Sequence, residues 1–108
     1  MEPGDLCYRV ILQRRDSSRD RLGGETVTWK DVGVTWAAAV PLSGRELIAA
    51  QQKHAEITTR FRIRYRAEMS PAWRVIWEGR SYDVLDVVDV DGQHWELDLL
   101  CSSGLRNG

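Results

Sequence analysis

Residues 57–66 read ITTRFRIRYR, and the side chains alternate in character along the whole stretch. One set is Ile57, Thr59, Phe61, Ile63 and Tyr65, and the other is Thr58, Arg60, Arg62, Arg64 and Arg66. A period of two residues is typical of a β-strand that buries one face. On the opposite face, the rise of a strand places successive guanidinium groups about 6 to 7 Å apart. A row of like charges at that spacing requires counter-charges.

Further strands are predicted on both sides of this stretch. Residues rich in Val, Thr and aromatic side chains cover 8–15, 26–32, 34–40, 73–77, 81–90 and 95–101. Gly33 predicts a bulge or a tight bend between two of them. The alternation slips within residues 81–90, which indicates a bulge or a strand covered on both faces. Residues 16–25 are polar and contain glycine, so they predict an exposed loop.

One helix is predicted among these strands. Ser43 and Glu46 have the spacing of a capping box, and residues 47–55 consist of good helix formers. The pattern therefore predicts a mainly β fold, either a small antiparallel β-barrel or a rolled sheet of about six strands, with one short inserted α-helix. We expect a single domain over residues 1–101 and a disordered polar tail over 102–108.

Composition restricts the class of protein. The chain has 108 residues, which suits one domain, and its 15 basic and 16 acidic residues give a formal charge of −1. A polycation that coats nucleic acid is therefore excluded. The sequence has neither a secretory signal nor a membrane span, so we expect synthesis in the cytosol. Cys7 and Cys101 lack the spacing of a zinc or redox motif and are interpreted as small hydrophobic residues.

Motifs for catalysis are not found in the sequence. It has no G-x-S-x-G elbow, no glycine-rich phosphate loop and no cysteine paired by motif with a histidine. Asp86, Asp89 and Asp91 do not have calcium-loop spacing, and Asp91-Gly92 is interpreted as a hairpin turn. His54 and His94 lie on different predicted elements. We therefore expect no catalytic residue, no cofactor and no metal site.

The arginine row has three possible partners that the sequence leaves open. The arginines pair with Glu96 and Asp98 on the last strand or with acidic residues on the hairpin before it, or with an acidic surface of a neighbouring subunit, or with nucleic acid phosphates. The candidate subunit-interface residues are Arg60, Arg62, Arg64, Arg66, Arg45 and Glu46.

The tryptophans are a second candidate for contacts between proteins. Trp29, Trp36, Trp73, Trp77 and Trp95 all lie on predicted strands in the apolar phase. Most are expected in the core or at a subunit interface, with the core as the default for each, and one or two exposed tryptophans would form an apolar patch that requires a partner.

An ordered set of short motifs runs through residues 4–101. It comprises RVILQR (9–14), GE (24–25), Trp29, VTWA (34–37), PLSGRE (41–46), AAQQ (49–52), the 57–66 strand, SP (70–71), RV (74–75), GR (79–80), YD (82–83) and the closing ELDLLC (96–101). In this order they resemble the phage head-tail joining family, also described as head closure or head-tail adaptor proteins of long-tailed phages. The resemblance implies a small β-barrel subunit without catalysis.

The same resemblance implies partners and a location. A homo-oligomeric ring would lie in the virion between the portal or adaptor protein and a tail-completion protein, after assembly in the host bacterial cytoplasm. Genome DNA would pass through the lumen with weak contacts only. Residues 41–56 or 16–25 would project into the lumen or onto the adjacent ring. The alternative from another class is an OB-like nucleic-acid-binding barrel that uses the arginine strand.

Overall fold

The computed structural model describes residues 7–103. Its elements are β1 (Tyr8–Arg19), β2 (Glu25–Pro41), α1 (Gly44–Lys53), β3 (Ile57–Arg64), β4 (Arg74–Trp77), β5 (Arg80–Asp89), a 3₁₀ turn (Val90–Gly92) and β6 (Glu96–Ser103). Every strand pairing is antiparallel, in the order β1-β2-β3-β6-β5-β4, and β4 returns to β1 so that the sheet closes into a barrel. The predicted mainly β fold with one helix is confirmed.

The barrel interior is filled by the inward side chains of all six strands. These include Val10, Leu12, Ala37, Ile63, Val75, Val84, Leu97, Leu99 and Cys101. Phe61 contacts the edges of Trp77 and Tyr82, with ring centroids 5.6 and 5.1 Å apart. Edge-to-face packing of this kind adds to the stabilisation from burial. Within residues 7–103 the interior is therefore a packed core, with side chains where a channel along the barrel axis would run.

The predicted exposed loop is confined to residues 20–24 and is wrong for residues 16–19 and 25, because β1 and β2 extend beyond the barrel as a two-stranded arm. We use the name arm for residues 14–19 and 25–30, which pair only with each other among the residues described. Asp20 closes the turn at the tip, since its carboxylate accepts hydrogen bonds from the backbone N–H groups of Leu22 and Gly24. The molecule is elongated, with extents of 49, 28 and 27 Å.

Two bulges lie where the sequence predicts irregular strands. Between Leu12 and Gln13 the register of β1 against β2 jumps from Gly33 to Asp31, so Val32 is the extra residue. The predicted bulge at Gly33 is confirmed, although residues 26–32 and 34–40 belong to one strand, β2. On β5 the register against β6 skips Leu85, which confirms the irregularity predicted within residues 81–90.

The helix begins at the predicted place but differs in its cap. Ser43 is the N-cap residue, yet among the described residues its side chain makes no capping hydrogen bond. The capping box is therefore not formed, because Glu46 accepts a hydrogen bond from Arg60 instead. None of the ten residues of α1, all within the described range, is buried.

The predicted disordered tail over residues 102–108 is wrong for its first two residues. Strand β6 continues through Ser103, so residues 102–103 of the predicted tail are in the sheet. Residues 104–108 lie outside the described range. Across residues 7–103, no helix has the length and apolar character needed to cross a membrane.

Candidate functional site

The centre of the arginine row is a cross-strand ion pair. Arg62 on β3 lies opposite Asp98 on β6 and donates two hydrogen bonds to its carboxylate, at 2.6 and 2.9 Å. Asp98 is 7% exposed, so the carboxylate is almost removed from solvent. The hydrogen bond with Asp98 raises the pKa of Arg62 above its ordinary value. The predicted pairing of the row with the last strand is confirmed at this position.

Arg60 connects the barrel to the helix. Its Nη1 atom donates a hydrogen bond of 2.6 Å to Glu46 on α1. The Arg60 side chain is 12% exposed, and its Nε atom is buried with no hydrogen-bond partner within residues 7–103. A guanidinium held this closely is fixed in orientation, so Glu46 and Arg60 together set the position of α1 over β3.

The two remaining arginines of the row differ from each other. Arg66 lies beyond the end of β3 and donates a hydrogen bond of 2.8 Å to Glu68. A backbone hydrogen bond, and then the bond from Arg66, lower the pKa of Glu68. Arg64 is exposed and lies opposite Glu96 in the strand register.

The candidate interface residues are therefore not a continuous basic strip. Three of the four guanidinium groups in the row bind carboxylates of the same chain. Arg45 is exposed on α1, next to the paired Glu46. That these residues contact a neighbouring subunit stays a prediction.

A groove between α1 and the barrel was not predicted from the sequence. Its volume is about 330 Å³, and its apolar lining consists of Leu42, Ala49, Ala50, Val88 and Leu100. Lys53 on α1 bridges the groove to Asp86 on β5, at 3.2 Å. Strand alternation gives the outward direction of Val88 but not the path of the helix, so the sequence has no signal for this groove.

An exposed apolar patch lies on the outer face of β2. Val34 is 53% exposed and Trp36 is 52% exposed, and the two side chains share one face because they are two residues apart. The guanidinium of Arg9, opposite Trp36 on β1, lies 5.9 Å from the centre of the indole ring. We call Arg9, Val34 and Trp36 the β2 patch.

The other tryptophans occupy three kinds of environment. Trp73 is buried and Trp77 is half-buried against the core, as predicted for most of them. Trp29 at the base of the arm is covered by Arg74, whose guanidinium carbon lies 4.2 Å from the ring centre. Trp95 is 73% exposed beside the connection between β5 and β6.

The remaining candidates for chemistry lie apart from these surfaces. Asp89 binds the backbone N–H and the ring Nδ1 of His94, and the His94 ring stacks on Tyr65. Within the described residues no group of three His, Cys, Asp or Glu side chains is arranged to hold a metal. Both cysteines are free, and burial raises the pKa of the Cys101 thiol far above its usual range. Cys7 is exposed.

Comparison with known families covers nearly the whole chain. Residues 1–104 match the model of the phage head completion protein family. This chain belongs to that family. A member of this family is a structural protein of the phage head and a component of the virion. The resemblance to phage head-tail joining proteins is thereby confirmed.

Individual relatives agree with the family assignment. This chain is 26% identical over 109 residues to head completion protein gp7 of Enterobacteria phage HK97. The match covers 96% of this chain and 97% of the relative. The solution structure of protein SF1141 from Shigella flexneri 2a has a TM-score of 0.80 at 28% identity, over 98% of this chain and 99% of that one.

A more distant structural neighbour shares the fold. A chain of the virion of a native gene transfer agent particle has a TM-score of 0.59 at 16% identity. The match covers 90% of this chain and 93% of that one. At this identity the likeness shows that the two chains have the same fold.

Proposed function

We propose that this chain forms a homo-oligomeric ring at the junction of head and tail, where it closes the filled head and presents a surface for the tail. The observation that carries the proposal is the family match over residues 1–104, which includes every strand and the helix. On this account the neighbours are a portal or adaptor protein on the head side and a tail-completion protein on the other side. The role is structural and needs no catalytic step.

The packed core supports one path for DNA in such an assembly. The interior of the barrel is occupied by side chains such as Phe61 and Leu99, both 0% exposed. A DNA duplex therefore passes through the lumen between subunits, and each barrel forms part of the wall. The lumen-facing surface is an outer surface of the barrel.

The arginine pairs favour weak contact with that DNA. Affinity for DNA grows with the number of phosphates that free basic side chains neutralise. Arg60, Arg62 and Arg66 already bind carboxylates of the same chain, so they have little free charge for phosphate. This supports a conduit through which DNA moves, and it weakens the alternative of a nucleic-acid-binding barrel built on this strand.

Ring closure explains how modest contacts support a stable assembly. A subunit in a closed ring contacts two neighbours of its own kind and the layers on either side. Once several contacts are made at once, each further contact forms at a high effective concentration. Interfaces that are weak between isolated subunits then hold the ring together.

The direct test is genetic complementation in the phage that encodes this chain. Heads assembled without the chain should lose packaged DNA and fail to join tails, and supply of the intact chain should restore both. Retention of DNA is measured by nuclease protection, and joining is measured by counting tailed particles in electron micrographs. Normal heads and normal joining in the absence of the chain would overturn the proposal.

A further inference from the structure

We propose that copies of this chain associate head to tail, with the β2 patch of one copy seated in the groove beneath α1 of the next. The inference names the contact between subunits and rests on the proposed ring. The occupant of the groove is thus Trp36 of a second copy. Three features of the single chain support this pairing: the shape of each surface, their positions on the barrel and their charge.

The β2 patch has the character of an anchor. Trp36 stands on a rigid strand with half of its surface exposed, and Val34 extends the apolar area beside it. The guanidinium of Arg9 lies near the ring and carries the positive charge of the patch. Tryptophan and arginine are enriched among the residues that dominate binding energy at protein interfaces. An exposed patch of this kind on a strand is typical of a contact site.

The groove beneath α1 is large enough to accept the Trp36 side chain. Its volume of about 330 Å³ is at the lower end of the range for small-molecule pockets and has room for one large side chain. The lining is apolar at Ala49, Val88 and Leu100, and the ion pairs Arg60–Glu46 and Lys53–Asp86 stand at its edge. An indole ring would cover the apolar lining, and the Arg9 guanidinium would then join Asp86, whose partner Lys53 is largely exposed to solvent.

The two surfaces lie on opposite sides of the barrel. In the closed order β1-β2-β3-β6-β5-β4, strand β2 is diametrically opposite β5, and β1 is opposite β6. The patch is on β1 and β2, and the groove is formed by α1 with β3, β5 and β6. Two different surfaces on opposite sides give a heterologous contact, which continues from copy to copy and closes when the rotation permits.

The distribution of charge along the chain agrees with a head-to-tail contact. Residues 78–99, which include β5, have seven acidic residues and one basic residue, a net charge of −6. Residues 7–41, which include β1 and β2, have six basic and four acidic residues, a net charge of +2. The groove lies between this acidic segment and the arginines of β3, so the positive charge of Arg9 is directed to the β5 side of the groove.

The test uses two variants of the full chain that each remove one surface. Trp36→Asp removes the anchor, and Ala49→Arg fills the groove with a long charged side chain. Sedimentation velocity should show concentration-dependent association of the unmodified chain and monomers for each variant alone. An equimolar mixture of the two variants should form dimers and nothing larger, because the intact patch of one fits the intact groove of the other.

Trp95→Ala is the matched control. Trp95 is more exposed than Trp36 but lies outside both surfaces, so its removal should leave the association constant within about twofold, whereas Trp36→Ala should lower it at least about tenfold. Circular dichroism and thermal unfolding of every variant show that the fold is retained. If Trp36→Asp unfolds, Trp36→Ser takes its place.

Four results would overturn the inference: an unmodified chain that stays monomeric at millimolar concentration, a mixture that stays monomeric, Ala49→Arg that associates like the unmodified chain, or equal effects of the two tryptophan substitutions. The proposed function has a separate readout. If heads require the chain but the mixture stays monomeric, the pairing is wrong and the function stands. If heads form and join tails without the chain, the function is wrong whatever the association.

Discussion

Arg62 on β3 and Asp98 on β6 form a two-point ion pair across neighbouring strands, with hydrogen bonds of 2.6 and 2.9 Å. Asp98 is 7% exposed, so its carboxylate has exchanged most of its water for this guanidinium. The pair lies on the outer face of the paired strands β3 and β6, whose inner face carries Leu97, Leu99 and Phe61. The pair therefore fixes the register of β3 against β6 and also neutralises the buried carboxylate of Asp98.

Removal of Arg62 should destabilise the fold clearly. Arg62→Ala leaves the Asp98 carboxylate shielded from water without its partner, and the expected loss is about 2 to 3 kcal/mol in the free energy of unfolding. Urea unfolding followed by circular dichroism measures it. Arg64→Ala is the control on the same strand, and because Arg64 is exposed the expected change is within about 0.5 kcal/mol. Equal effects of the two substitutions would show that the ion pair contributes nothing of its own.

Glu46 binds Arg60 on β3 and so attaches α1 to the barrel, instead of forming a capping box with Ser43. Lys53 also binds Asp86, so Glu46→Ala should loosen α1 without detaching it, and hydrogen exchange of the amides of residues 44–53 should become faster while the strands stay protected. Arg45→Ala, one position earlier and exposed, should leave exchange unchanged. Faster exchange in the Arg45 variant but not in the Glu46 variant would contradict the assigned role of the Arg60–Glu46 pair.

The same two positions bear on assembly. The double substitution Arg45→Ala with Glu46→Ala should lower incorporation of the chain into particles without unfolding the subunit, because residues 41–56 are expected to project into the lumen or onto an adjacent ring. Quantitative immunoblotting of purified particles measures incorporation. Unchanged incorporation, with the fold verified by thermal unfolding, would remove the support for an interface on this segment.

The arm should be dispensable for the fold but not for assembly. Replacement of residues 16–28 by an Asn-Gly turn joins Arg15 to Trp29, which are already paired across the two strands. No buried side chain is removed, so the midpoint of thermal unfolding should change by no more than about 5 °C. A solvated ribbon without a core contributes little stability by itself, so we expect its role in contacts with neighbouring proteins. Full assembly of the shortened chain would show that the arm has no such role.

Binding to DNA should be weak and sensitive to salt. With three of the four arginines of the row paired inside the chain, few phosphates are neutralised. We expect no binding of single-stranded or duplex DNA below micromolar concentration at physiological salt, measured by fluorescence anisotropy in a salt titration. A submicromolar dissociation constant that persists under those conditions would favour the nucleic-acid-binding alternative.

Strand β3 shows what the sequence can predict. Its alternation coincides with burial of one face only, so Phe61 and Ile63 enter the core and the arginines point outward. Strand β6 alternates in the same way, although its outer face is also buried at Asp98, and its position opposite β3 makes the Arg62–Asp98 pair predictable. The local alternation of side chains is sufficient to predict a strand wherever the core covers one of its faces.

The arm and the groove show where local pattern is insufficient. The arm has no buried face, and its strands are held by register and by ion pairs such as Lys30 with Asp16 and Arg15 with Glu25. Its sequence therefore resembles that of a loop. The groove depends on the path of α1, which is set in part by the pair of Arg60 and Glu46 on two different elements, and no local period predicts that contact.

Electron microscopy of the intact head–tail junction tests the central claim most directly. A reconstruction of purified virions should contain a rotationally symmetric layer of six-stranded barrels between the head and the tail, with DNA in the lumen outside each barrel. The position of residues 41–56 in that layer would identify the neighbour they contact. A junction without density for this chain, or copies located elsewhere in the particle, would contradict the account.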